Sequence, residues 1–291
     1  MATRPDSERS MVSVNGTKLL VEQVGSGAET VVFSPSLFTN KELFDPLVGA
    51  LSDDFRCIRY DHRGQGESGL GAPQPSLALL GTEGLYEDAE ALLDQLGIDS
   101  CHWVGASVGG FVGIRLAVRH PERVRSLALI GMSTRQASRG DMLQINLFAW
   151  LVRASSWLGP LGAGMRGRIA AQSMKNLLGP TFMSDPARAE DREMWRQRWA
   201  AQLIPEAVPM VRQVFGTAGN PPELLAQVQA PTLVVVGEEE YGGTGEAQEA
   251  QQAIPNARLV TVPRAGHMVL VEQPEVGATA IAEFIRGVEA S

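Results

Sequence analysis

A serine framed by glycines, a histidine late in the chain and three consecutive glutamates between them carry the chemistry available to this sequence. Ser107 stands in Gly105-Ala106-Ser107-Val108-Gly109. The preceding Cys101-His102-Trp103-Val104 has the apolar, aromatic pattern of a buried strand, and Phe111 to Arg119 reads as a helix. A strand, a Gly-x-Ser-x-Gly turn and a helix in direct succession form a nucleophile elbow. Such a turn strains the serine backbone and lifts its hydroxyl above the sheet. Gly105 and Gly109 let strand and helix approach closely around it. The helix begins beside Ser107, so its first amides and its dipole favour a developing negative charge there.

A serine hydroxyl is a poor nucleophile without a base. The chain has four histidines. His62, His102 and His120 each have a structural reading as good as a catalytic one. His267 follows the last expected strand, at the carboxyl edge of the sheet where Ser107 must also sit, and open parallel sheets place their sites at that edge. The acid is expected after the strand Thr232-Leu233-Val234-Val235-Val236, where the chain offers Glu238-Glu239-Glu240 and no aspartate. Its task is to hold the imidazole in the right tautomer and stabilise its cation. Glu238 comes too early to turn back over the sheet edge. Glu239 and Glu240 both fall in the turn, and alternation lets only one of them face the site. Asp141 is a more remote alternative. An oxyanion hole needs two backbone amides. Val108, next after the nucleophile, would give one, and Leu37, in the loop after the third strand, the other.

The elements that must position these residues alternate. Met11–Val14 and Lys18–Gln23 read as strands joined by the hairpin signal Asn15-Gly16. Further strands are expected at 30–33, 56–60, 124–130, 232–236 and 258–262, and helices at 41–51, 82–96, 245–253 and 274–288. Thr82 is the expected N-cap of the second of these helices and Gly97 its stop. Residues 69–81 read as loop. Strands apolar on both faces, separated by helices, imply a parallel sheet with crossover helices. Between residues 134 and 219 the alternation breaks, and helices are expected at 142–154, 164–177, 186–201 and 206–215. This stretch holds four of the five tryptophans and six of the ten methionines. They fill a helical layer that is expected to cover the elbow and lend apolar side chains to a substrate pocket. The domain reading is therefore a core of 1–133 and 220–291 with a helical lid of 134–219.

Composition narrows the class. A chain of 291 residues, 44% hydrophobic, can bury a sizeable core. Its formal charge of −8 argues against nucleic acid or an anionic membrane surface as the main partner. Two cysteines, Cys57 and Cys101, both in expected strands, make neither a disulfide framework nor a zinc site. Residues 1–10 are polar and no apolar run is long enough to span a bilayer, so a cytoplasmic setting is the default. No cofactor or metal motif is seen.

Taken together, Asp61-His62-Arg63-Gly64-Gln65-Gly66-Glu67-Ser68, the elbow, His120-Pro121-Glu122-Arg123-Val124, the Pro-Thr-Leu-Val strand and Ala265-Gly266-His267 resemble the α/β-hydrolase superfamily over nearly the whole chain. The resemblance implies that fold, a cap after the sixth strand and the order serine, acid, histidine. Within it, Phe33-Ser34-Pro35-Ser36-Leu37 and Arg59-Tyr60-Asp61 are similar to the 3-oxoadipate enol-lactonase-like branch, which again puts Leu37 at the oxyanion amide. Counting from Gly237 as in the family's Gly-x-x-Asp selects Glu240. Three features depart from that branch: Pro35 stands for its Asn, Phe38 for a Gly and Glu240 for an Asp. The expected substrate contacts are Phe38, narrowing the pocket, and Trp150 of the lid. The implied activity is cofactor-free hydrolysis of a small-molecule ester or lactone with an apolar portion, by Ser107, His267 and Glu240. The same triad could serve C–C bond hydrolysis or perhydrolysis, and a non-catalytic ligand-binding member of the fold is the alternative from another class.

Overall fold

Apolar strands that alternate with helices bury both faces only by stacking side by side between two helical layers. The computed structural model, which describes residues 7–71, 77–204, 208–217 and 219–290, has this arrangement. Its eight strands are β1 (Ser7–Val14), β2 (Thr17–Val24), β3 (Thr30–Ser34), β4 (Arg56–Tyr60), β5 (Cys101–Ala106), β6 (Val124–Ile130), β7 (Thr232–Gly237) and β8 (Ala257–Val262). They form one sheet in the order β1-β2-β4-β3-β5-β6-β7-β8. β1 and β2 are antiparallel, and β2 runs antiparallel to β4. From β4 through β8 all pairings are parallel. The β1–β2 turn has Asn15 at φ 38° and Gly16 at φ 75°, two left-handed residues whose twist matches that of the flanking strands.

The helices are α1 (Asp45–Leu51), α2 (Thr82–Gln95), α3 (Val108–Arg119), α4 (Arg139–Trp157), α5 (Pro160–Leu177), α6 (Pro180–Ser184), α7 (Ala189–Gln202), α8 (Val208–Thr217), α9 (Pro222–Leu225), α10 (Gly245–Ala253), α11 (Val269–Glu272) and α12 (Pro274–Glu289). The pleat of β5 divides its side chains. Trp103 enters the core shared with Leu85 of α2 and Ile114 of α3, and Val104 enters the opposite core, shared with Leu47 of α1 and Ile281 of α12. Helices α4 to α8 lie in the chain between β6 and β7 and form the helical insert. They add Met210 and Val214 to one core and Met174, Trp195 and Trp199 to the other.

Several boundaries differ from those read in the sequence. β1 begins at Ser7, because pairing with β2 carries its largely exposed first residues into the ladder. Helix at 41–51 starts as a 3₁₀ turn, Lys41–Phe44, capped by Asn40, and becomes α only at Asp45. Thr82 is not the N-cap of α2. Gly81 takes that place, and Thr82 is the buried first helical residue. Within the expected loop 69–81, Leu77–Leu80 is a 3₁₀ turn, and residues 72–76 lie outside the described residues. α4 starts earlier than expected because Ser138 and Asp141 form a reciprocal capping box. The expected start of the last insert helix at Glu206 lies outside the described residues, and α8 is described from Val208.

Candidate active site

Ser107 sits between β5 and α3 with φ 48° and ψ −112°, a conformation that an L-residue holds only when its surroundings impose it. Those surroundings are tight. A Cβ on Gly105 would lie 2.3 Å from the Gly109 carbonyl carbon, and one on Gly109 would lie 2.0 Å from the Ser34 carbonyl oxygen. The glycines thus bring strand, helix and the loop after β3 into backbone contact. The Ser107 amide donates to the Ile130 carbonyl at 2.8 Å, fixing the elbow to the end of β6.

The loop after β3 is held from behind. Burial brings the His62 imidazole down to about 4 despite its bond to Pro35, so it is neutral. Its Nε2 donates to the Pro35 carbonyl at 3.0 Å. Ser34 Oγ meets Tyr60 Oη at 2.9 Å. The Asp61 carboxylate accepts from the amides of Lys41 at 2.7 Å and Glu67 at 3.0 Å, which closes the turn after β4. Arg63 binds Asp88 through two bonds of 2.6 Å. His62 is thus the side chain by which the Asp61–Ser68 motif braces the loop at Pro35. Leu37 and Val108 both line the cavity over Ser107. Val108 is the first residue of α3, so its amide precedes the intrahelical ladder. Phe38 has φ 61°, the left-handed conformation that glycine adopts without strain. The phenylalanine at this position is thus held under strain beside the elbow, with its ring 5.5 Å from that of Phe148.

His267 follows β8 and lines the same cavity as Ser107. Its Nδ1 lies 2.9 Å from Glu240 Oε1. With the proton on Nδ1 donated to the carboxylate, Nε2 is left with its lone pair. Burial pulls the His267 pKa down, but the charge and hydrogen bond of Glu240, with the charge of Glu272, outweigh it and leave the group above its ordinary value. The other two glutamates point elsewhere. Glu239 accepts from the Thr181 amide at 2.9 Å and from the Thr181 hydroxyl. Glu238 accepts from the Arg264 amide at 3.3 Å. Asp141 is exposed and occupied with the α4 cap. His102 meets Ser126 at 2.8 Å and His120 meets Glu90 at 2.6 Å, and neither lines the cavity over Ser107.

One carboxylate in this region has no counterpart in the sequence reading. Glu272, almost fully buried, accepts from the amides of Gly266 at 2.8 Å, Met268 at 3.0 Å and Gly179 at 2.7 Å. The first two flank His267, and the third belongs to the insert. The His267 amide itself donates to the Leu177 carbonyl at 2.9 Å. Burial drives the Glu272 pKa up against these three bonds, and the result is a raised value. Gly131 leaves room for the ring: a Cβ there would lie 3.1 Å from His267 Nδ1.

The cavity over Ser107 has a volume of about 550 Å³. It shares Phe38, Ile145, Leu177, Trp199 and Phe215 with a second, more apolar cavity of about 650 Å³ inside the insert. Phe38 thus lies between the two. Trp150 does not line either. α4 turns Ile145, Phe148 and Leu151 inward, and Trp150, on the opposite face, is 57% exposed. The expectation that Trp150 lines the pocket is corrected: Trp199 of α7 and Phe215 of α8 line the cavity over Ser107 instead. The apolar residues of α4 encircle it, so their spacing alone does not tell inner from outer face.

An elbow serine and a carboxylate-bound histidine at the carboxyl edge of a parallel sheet, beneath a helical insert, define the α/β hydrolase class. Residues 29–274 match the family model described as α/β hydrolase fold, and the chain belongs to that family. It is a hydrolase. The 3-oxoadipate enol-lactonase 1 of Acinetobacter baylyi is 25% identical over 99% of this chain and 97% of that protein. A Caulobacter protein provisionally named carbamate hydrolase RutD is 25% identical over 90% of this chain and 92% of its own. The structure of a thermophilic esterase from Thermogutta terrifontis superposes with a TM-score of 0.82 at 26% identity, covering 97% of this chain and 99% of that one.

Proposed function

We propose that the chain is a cofactor-free serine hydrolase of esters or lactones that carry an apolar portion. The observation that carries this reading is the 2.9 Å contact between His267 Nδ1 and Glu240 Oε1, in a cavity that the elbow Ser107 also lines. Ser107 Oγ attacks the carbonyl carbon while His267 Nε2 takes its proton. Glu240 holds the ring and stabilises the imidazolium. The amides of Leu37 and Val108 receive the charge on the carbonyl oxygen. Collapse expels the alkoxide with the proton from His267, and a water activated by the same base releases the acyl group from Ser107. The insert acts as the lid, and its Trp199 and Phe215 meet the apolar part of the substrate.

The activities for which the relatives are named support lactone or ester cleavage, and one of them points to a carbamate. A fluorophosphonate probe should label the wild-type protein and fail on Ser107→Ala. A panel of p-nitrophenyl esters, lactones, carbamates and vinylogous diketones then separates the chemistries. Turnover confined to the diketones would overturn the ester reading, and no labelling with an intact fold would overturn the enzyme itself.

A further inference from the structure

The outer face of α4 is apolar and open to solvent. Leu143, Leu147, Trp150 and Trp157 follow one another at helical spacing along a single stripe, and Leu158 and Leu161 extend it into the start of α5. All six are between 46% and 76% exposed. Single exposed apolar residues need no explanation, but a contiguous row of leucines and tryptophans does.

The segment that carries the row is basic, in contrast to the whole protein, with Arg139 and Arg153 beside the row and Arg168 lining the insert cavity. Between residues 139 and 178 there are five cations, Arg139, Arg153, Arg166, Arg168 and Lys175, and one anion, Asp141, in a chain whose formal charge is −8. Among the described residues none of the five makes an ion pair, although arginines elsewhere in the molecule commonly do. Arg139 lies one turn before Leu143, and Arg153 three residues after Trp150, so both stand beside the stripe. Unpaired cations flanking exposed tryptophan and leucine suit a helix that lies in the headgroup region of an anionic bilayer. A second copy of this chain is a poorer occupant, because a two-fold contact would set this basic hairpin against itself. No helix among the described residues is long and apolar enough to cross a membrane, so the contact would be peripheral.

We propose that the outer face of the α4–α5 hairpin docks the protein on an anionic lipid surface. Leu147 belongs both to the stripe and to the lining of the insert cavity of about 650 Å³, which meets the Ser107 cavity at Phe38. Resting on the hydrolase reading given above, docking brings an apolar ester partitioned in the bilayer to the mouth of that path. The docking itself needs no reaction.

The test is co-sedimentation of the whole protein with vesicles of phosphatidylglycerol and phosphatidylcholine, and with phosphatidylcholine alone. Binding is expected to the anionic vesicles, to weaken in high salt, and to fall about tenfold or more in Trp157→Gln/Leu161→Gln. Arg139→Gln/Arg153→Gln should lose the preference for anionic lipid. These side chains lie outside both cavities, so hydrolysis of a soluble p-nitrophenyl ester should stay at the wild-type rate in either variant. No sedimentation with anionic vesicles, or equal sedimentation of the wild type and the Trp157→Gln/Leu161→Gln protein, would overturn the proposal. So would a wild-type dimer in analytical ultracentrifugation that the same variant dissociates, which would give the face to a second copy. Because vesicle binding is read without substrate, its failure is separate from any failure of the ester reading.

Discussion

The sheet edge and the helical insert face one another across the same cavity and are built in opposite ways. β5 is buried along its whole length, and α3, which follows the elbow, buries most of its residues. α4 and α7 bury far fewer, among them Val152, Trp195 and Trp199, and leave the rest partly or fully open. The loops on the sheet edge are pinned through backbone amides to buried carboxylates, as at Asp61 and Glu272. The insert cavities are walled by side chains of helices that meet solvent on their other face. Elements buried on all sides cannot shift without losing packing, whereas helices packed on one face can adjust. Reaction geometry belongs on the first kind of element, and selection among substrates on the second.

That contrast can be broken by substitutions on either side. The largest effect is expected at the elbow. Ser107→Ala should lower kcat by on the order of 10⁶ for every substrate, large or small. Retained turnover on any one ester would detach the chemistry from the sheet edge. Glu240→Gln should cost up to about 10⁴ in kcat, and Glu239→Gln, whose partner is Thr181, should stay within a few-fold of wild type. The opposite ranking would reassign the acid. The pH profile sharpens the same point. The base must be neutral, and the cation of His267 is favoured by Glu240 beyond the ordinary value of 6.5, so kcat should rise with pH along a limb displaced above that value. Removing the carboxylate charge in Glu240→Gln should move the limb to lower pH. A limb that stays in place would mean that Glu240 is not the group His267 feels.

On the insert side, Trp199→Ala or Phe215→Ala should lower kcat/KM on bulky apolar esters by on the order of tenfold and leave short acetyl esters almost unchanged. An equal loss on both would show that the insert serves the geometry of the reaction as well as selection. The smallest effect on turnover is expected from Glu272→Gln. Its amide nitrogen replaces one acceptor facing the Gly179, Gly266 and Met268 amides, and the loss should appear as about 1–3 kcal/mol in urea unfolding.

The same division governs what could be read from residues alone. The parallel strands are legible because a run such as Leu233-Val234-Val235-Val236 has no polar position to hide, and Asn15-Gly16 announces its turn. The elbow is legible because only glycine fits at 105 and 109. Glu240 is singled out only by counting along the resemblance, since Glu239 sits in the same turn and binds the insert instead. Glu272 could not be found, because its partners are backbone amides, which carry no residue-type signal. The outward position of Trp150 is not legible because α4 is apolar on both faces, and only the packed molecule says which face meets the cavity. The same helix shows why a net charge of −8 says little about a local surface.

The bonds that seat His267 also tie the sheet edge to the folding of the insert. Its amide waits for the Leu177 carbonyl, and the carboxylate that gathers its neighbours waits for Gly179, 93 residues earlier in the chain. Contacts between segments so far apart carry a loop-closure cost that local helices and hairpins do not. A chain whose sheet is complete but whose insert is still unfolded keeps the elbow and the His267–Glu240 contact but lacks the two bonds that Leu177 and Gly179 add. On the hydrolase reading proposed above, the seating of the base is therefore complete only once the insert has folded against the sheet edge.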